Sequence, residues 1–262
     1  MPPVVARPAA TVLLLRDCPH PPDGRAPLQV FLQRRVAGMA FAGGMTVFPG
    51  GGVDATDRED VPWTGPEAAW WGERLACAPE EARALVQAAV RETFEECGVL
   101  LTGDSPDGAW LAGAREDLVA RRRSLGDLLR ASSLQLRSDL LHPWARWITP
   151  EGLPRRYDTA FLVARVPDGQ VADDRTTEAV EASWWHPADA LAGAVAGELE
   201  LMTPTQHTLQ ELADHADAGS VIAAAAERRI EPVTPRARRV GGQVVIVVPD
   251  GPGGALPTRQ PR

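Results

Sequence analysis

Arg91-Glu92-Thr93-Phe94-Glu95-Glu96-Cys97-Gly98 (RETFEECG) puts three carboxylates on one stripe of a helix. Glu92, Glu95 and Glu96 stand at i, i+3 and i+4, where helical side chains are neighbours. Val86, Val90, Thr93, Phe94 and Cys97 fall on the opposite side of the same wheel, which gives the helix one side for a core and one for chemistry. Carboxylates held this close repel one another, and hard divalent cations with oxygen ligands neutralise such a cluster. Magnesium is the first choice. The competing reading is a solvated acidic face with an Arg91–Glu95 ion pair.

The upstream sequence weighs on that choice. VFLQRR (Val30 to Arg35) reads as a strand and leads into MTVFPGGGVD (Met45 to Asp54), a backbone turn that side chains would obstruct. FPGG at Phe48 to Gly51 and RETFEECGV at Arg91 to Val99 together resemble the two halves of the Nudix box, the signature of hydrolases that cleave nucleoside diphosphates linked to another moiety. The resemblance covers roughly Thr11 to Val248. Two departures stand out. The gap between Gly51 and Arg91 is about two dozen residues longer than usual, so the box carries an insertion. Where the pattern has a glutamate before Arg91 this chain has Arg83, leaving Glu80 or Glu81 as substitutes.

An interrupted box is similar to the larger, peroxisomal-type coenzyme A diphosphatase branch. LQRR (Leu32 to Arg35) before GGMTVFPGG resembles that branch's coenzyme A segment, and Trp144 to Val166, Thr177 to Leu191 and Met202 to Leu212 resemble it as well. The resemblance implies metal ligation (Mg2+ or Mn2+) by Glu92, Glu95, Glu96 and the Gly51 carbonyl. It also implies that Arg91 orients a glutamate, that Arg34 contacts phosphate, and that Arg35 and Gly50 join it in binding substrate. The general base would be one of the box glutamates or an acid outside the helix, Glu178 or Glu181 in TTEAVEASWW, with Glu178 the one carried forward. The implied substrate is coenzyme A or acyl-coenzyme A. The alternatives are ADP-ribose, NADH or another nucleoside diphosphate derivative, because loops set substrate choice, and a catalytically silent nucleotide-binding module, favoured by Arg83 and the insertion but opposed by the intact carboxylates.

Composition bounds these readings. The chain has 262 residues and a formal net charge of -8, enough length for one elaborated domain and too acidic for non-specific nucleic-acid or membrane-surface binding. An acidic protein acting on a polyanion must recruit cations and local arginines. The cysteines, Cys18, Cys77 and Cys97, lack metal-type spacing, and no long apolar segment opens the chain, so the expected compartment is the cytoplasm. Neither a P-loop nor a GxGxxG fingerprint occurs, and the histidines form no metal pair.

The expected organisation is α/β, a Nudix α/β/α sandwich around a mixed sheet. It comprises a flexible tail over 1–10, one domain over 11–248 and a flexible tail over 249–262. Strands are expected at Thr11 to Arg16 and Leu28 to Arg35, the insertion at 54–79, and the acidic helix from Pro79 to Cys97, capped by Gly98. Further on come a helical segment over 112–136, strands at Ala145 to Ile148, Thr159 to Val166 and Val180 to Trp185, a helix at Pro204 to Ala216 and a closing strand at Gln243 to Val248. Trp63, Trp70 and Trp71 are expected to anchor packing rather than stack on a ligand. Cys97 is expected to pack and Arg121 to Arg123 to be solvated.

Overall fold

The computed structural model describes residues 4–21, 24–39, 41–103, 106–176, 179–240 and 243–248. In chain order the elements are β1 (Arg7–Asp17), β2 (Leu28–Arg35), β3 (Thr46–Val47), β4 (Gly50–Gly52), β5 (Trp63–Thr64), α1 (Ala68–Leu75), α2 (Pro79–Cys97), α3 (Gly108–Val119) and α4 (Leu125–Ala131). There follow β6 (Leu136–Arg137), β7 (Leu141–Ile148), β8 (Tyr157–Arg165), β9 (Ala179–Trp185), α5 (Pro187–Ala196), α6 (Thr203–Leu212), α7 (Ala218–Glu227), β10 (Arg236–Val240) and β11 (Gln243–Val247).

β1 and its parallel partner β8 form the spine of a seven-stranded mixed sheet, with β7 antiparallel on the far side of β8. β1 is apolar on both faces, as a strand covered on both sides must be. Val12 and Leu14 join Phe31 against Val86, Val90 and Phe94 of α2, while Leu13 and Leu15 join Val30 and Leu32 against Leu209 and Leu212 of α6 and Val221 of α7. Each fully buried Leu or Phe contributes roughly 1.5–3 kcal/mol, so the sheet holds α2 through many such contacts.

β1 and β2 pair only near their turn, at Leu15 with Val30 and at Asp17 with Leu28. Beyond it they diverge. β9 occupies the outer edge of β2, so β3, which bonds Gln33 and Arg34, lies on the same edge of β2 as β1. β4 in turn bonds Ala9 to Thr11 of β1. The chain from Thr46 to Gly52 therefore fills a fork in the sheet, and the Pro-Gly-Gly turn emerges there beneath α2.

α2 begins with Pro79 in its first turn and Glu80 and Glu81 beside it, which suits the positive end of the helix dipole, and it stops at Gly98 in a left-handed cap whose N–H bonds Phe94 O at 3.0 Å. These bounds match the expected ones. β1 starts at Arg7 rather than Thr11, because Arg7 N–H bonds the Arg156 carbonyl and pairing with β8 continues to the strand's first residue. The 112–136 segment is two helices rather than one: α3 ends at Val119, Arg121 adopts φ 54°, and Ser124 caps α4 by accepting from Asp127 N–H. The closing strand pairs with β10 in a separate hairpin and does not join the main sheet. Helix α5, after His186, was not anticipated. Residues 249–262 lie outside the described residues.

Trp71 is fully buried, and Trp63 donates from Nε1 to the Pro66 carbonyl, so both act as packing anchors as expected. Cys97 is fully buried, and burial followed by the nearby Glu96 charge pushes its thiol well above the ordinary range. Arg121 is exposed and reaches Asp54 at 3.1 Å. No described helix is long and apolar enough to cross a membrane.

Candidate active site

The last two turns of α2 lie across the glycine turn, and their carboxylates are not a solvated face. Glu96 is 2% exposed although it stands on the side of α2 opposite its apolar face. Its Oε2 accepts from the Gly50 backbone N–H at 2.7 Å and from Gln33 Nε2 at 2.6 Å, while its Oε1 is buried without a hydrogen-bond partner. Burial and then the Glu92 charge push its carboxyl up to about 8, against the pull of Gly50 N–H, Gln33 and the Arg35 guanidinium. Glu92 is the neighbour that makes this pocket acidic. A Cβ on Gly51 would come within 2.3 Å of Glu92 Oε1, and one on Gly50 would come within 2.4 Å of the Ala10 carbonyl. Neither position of the turn can carry a side chain without displacing the carboxylate or the sheet.

Arg91 lies beneath this group, 4% exposed. It grips Asp57 bidentately at 2.8 and 2.9 Å, donates to Glu92 Oε1 at 2.8 Å and to the Gly52 carbonyl at 2.9 Å, and approaches Glu95 at 3.5 Å. Burial opposes its charge, but the two bonds to Asp57 and the adjacent carboxylates together hold its pKa above the ordinary range. The guanidinium thus holds Glu92, and the Glu95 pairing is its weakest contact.

Asp57, rather than the expected Glu80 or Glu81, is the acid that pairs with Arg91. Glu80 is exposed, and Glu81 faces the Cys77 and Arg146 side, so neither replaces it. Instead Asp57 comes from a 3-10 turn at Ala55–Arg58, where it accepts from Asp54 N–H at 2.8 Å. Arg83, Gln87 and Arg91, spaced four apart on α2, all hold this strand of chain: Arg83 bonds Asp60 and the Val61 carbonyl, and Gln87 bonds the Glu59 carbonyl at 3.0 Å. Two features of the sequence, unused above, bear on it. Asp54 and Asp57 stand three apart, the spacing of an N-cap and its partner, and a polar i, i+4, i+8 stripe demands acceptors outside its own helix.

Other expected residues fall differently. The Gly50 amide is committed to Glu96, so it does not face a substrate. Adjacent residues of β2 point to opposite faces: Gln33 faces α2, and Arg34 lies with Leu32 and Leu199 on the α5 side, paired with Glu181 at 3.5 Å. The Arg34 side chain therefore lies across the sheet from the carboxylates. Arg35, past a bulge in the β2–β9 pairing, is close enough to bear on the Glu96 charge. Glu95 is partly exposed and lies toward Arg91, Arg121 and Asp54. Burial, opposed first by the Arg91 charge, raises its carboxyl. Glu178 lies outside the described residues.

Among the described residues no three of His, Cys, Asp and Glu converge as a ready metal cage. A divalent cation nevertheless fits what Glu92 and Glu96 present: hard oxygen donors, mutual repulsion to relieve, an unpartnered Glu96 Oε1 and a backbone stripped of side chain at Gly51.

The sequence profile of the NUDT19 Nudix domain matches residues 73–212, which include all of α2 and its carboxylates. The chain belongs to this Nudix family. A Caenorhabditis elegans protein assigned to the nudix hydrolases is 31% identical over 193 residues, covering 72% of this chain and 57% of its own length. The human acyl-coenzyme A diphosphatase NUDT19 is 27% identical over 262 residues, covering 80% of this chain and 69% of its own length. The crystal structure of a NUDIX hydrolase from Alicyclobacillus acidocaldarius superposes with a TM-score of 0.64 at 25% identity, over 87% of this chain and 99% of that one. The Nudix fold, a mixed sheet flanked by helices, is thereby established for this chain. This Nudix domain spans little more than half the length of the nematode relative.

Proposed function

We propose that this Nudix domain hydrolyses the diphosphate of coenzyme A or acyl-coenzyme A to 3′,5′-ADP and (acyl-)4′-phosphopantetheine, with Mg2+ or Mn2+ held by Glu92 and Glu96, the Gly51 carbonyl, and Glu95 at the rim. The observation that carries the hydrolytic reading is the buried, unpartnered Oε1 of Glu96 beside Glu92 and the bare backbone of Gly51. The substrate class rests on relatives named acyl-coenzyme A diphosphatase, human and chicken, at 27% and 25% identity. A bound divalent cation would supply Lewis acidity to the phosphorus and a nucleophilic water.

The chain's own residues do the rest. Arg91, locked by Asp57, keeps Glu92 oriented. The Gly50 N–H holds Glu96 in one rotamer, so no reorganisation accompanies the reaction. Arg35 is the basic side chain of LQRR on the carboxylate side and is assigned to the substrate's phosphates. Glu178 remains the proposed acid outside the helix that takes a proton from water, and Glu92 and Glu95 keep enough exposure to share that task.

The test incubates purified protein with coenzyme A, an acyl-coenzyme A, ADP-ribose and NADH in Mg2+ or Mn2+ and separates the products by chromatography. Release of 3′,5′-ADP from coenzyme A or its acyl form supports the reading. Preferred cleavage of ADP-ribose or NADH replaces its substrate, and binding without turnover of any compound replaces the enzyme with a sensor.

A further inference from the structure

We infer that Gln33 is a positioning residue for Glu96 and sets the affinity of the site for a hard divalent cation, an inference that rests on the metal-dependent reading above. Gln33 is 1% exposed in β2, where it follows the buried Val30, Phe31 and Leu32 and precedes Arg34 and Arg35. A buried amide there is costly unless it bonds. Its Nε2 donates to Glu96 Oε2 at 2.6 Å, and the Gly50 N–H donates to the same oxygen at 2.7 Å. Its own Oε1 has no partner. The donor end therefore decides how the amide is turned.

Two donors converging on one carboxylate oxygen leave the other free, and Glu96 Oε1 is both buried and unpartnered. Gln33 thus selects which oxygen of Glu96 is offered and holds it against the repulsion of Glu92. Outer partners of this kind orient a ligand and tune its affinity for the ion, typically by about 10- to 100-fold. β2 is thereby coupled to α2 at the point of ligation, and a strand residue with no access to substrate acquires a functional role.

The test measures Mn2+ binding by calorimetry in the full chain, in Gln33→Met, in Glu96→Gln and in the double variant. Met fills the same volume and donates nothing, and Gln33→Leu serves if Gln33→Met does not fold. The expected result is about tenfold weaker Mn2+ binding in Gln33→Met, near the low end for an outer partner, with no further loss when Gln33→Met is added to Glu96→Gln. Cleavage by Gln33→Met should recover as Mn2+ is raised toward saturation. Unchanged Mn2+ affinity in a folded Gln33 variant, or an equal loss in the Glu96→Gln background, overturns the inference and leaves the proposed hydrolase standing. If the unaltered protein binds no Mn2+, the metal-dependent reading falls and takes this inference with it.

Discussion

Two sets of charged pairs, one under α2 and one at the surface, differ in what surrounds them. The inner set, Asp57–Arg91–Glu92, has side chains 2%, 5% and 13% exposed, and it ties the 3-10 turn, the helix and the glycine turn together. The outer set, Arg34–Glu181 and Arg121–Asp54, has side chains between 38% and 81% exposed. The chemical groups are the same. Water screens the outer pairs to almost nothing, while the inner charges, once desolvated, depend wholly on one another. Burial rather than charge separates the two sets.

Breaking the inner set should therefore give the largest effect. Asp57→Ala leaves the Arg91 guanidinium buried beside vacated space and should cost about 3–5 kcal/mol, read from urea unfolding midpoints. An unchanged midpoint would mean that Arg91 finds another partner. Glu96→Gln comes next: kcat/KM for coenzyme A should fall by about two to three orders of magnitude, the usual size of a lost preorganised electrostatic group, with the fold intact by circular dichroism. Glu95→Gln should lose less, since Glu95 stands at the rim. Equal losses would erase the distinction between sealed and rim carboxylates.

A pH series on chelator-treated protein sharpens the comparison further. The Glu96 carboxyl is pushed from 4.5 to about 8 in the fold. Between those values the folded state binds the proton more tightly than the unfolded chain, so its contribution is fully present at acid pH and is lost as pH rises through about 8. Urea midpoints should drop from pH 5.5 to pH 8 in EDTA, in a window that follows from that shift. Glu96→Gln should flatten this slope. The smallest effect belongs to the outer set: Arg34→Ala should alter stability by about 0–1 kcal/mol and KM less than Arg35→Ala does, as measured by steady-state kinetics.

Much of this could be read from the residues alone. α2 was legible to its ends because Pro79 and Gly98 are local signals, and the strands were legible because β-branched and aliphatic runs are buried on both faces. The nearness of Glu92 and Glu96 on one side of α2 was legible from spacing. Three things were not. The partner of Arg91 was sought on the helix, yet it arrives through a tertiary contact 34 residues away. The choice between Arg34 and Arg35 depends on which face of β2 each takes beside a bulge, and a one-residue step reverses that. Burial of Glu96 does not show on the helical wheel, because its cover comes from Gln33 of β2 and Gly50 of the turn, both distant in sequence.

The fork between β1 and β2 has a consequence for motion. A Pro-Gly-Gly-Gly run in an open loop would be the most pliable stretch of a chain, but here the Pro49 carbonyl takes bonds from Thr11 Oγ1 and Val12 N–H, and the next amide is tied to Glu96. Wedged between two strands beneath a helix, the first of these glycines has its amide held on both sides. Deuterium should reach the Gly50 amide about as late as it reaches the middle of the central strand.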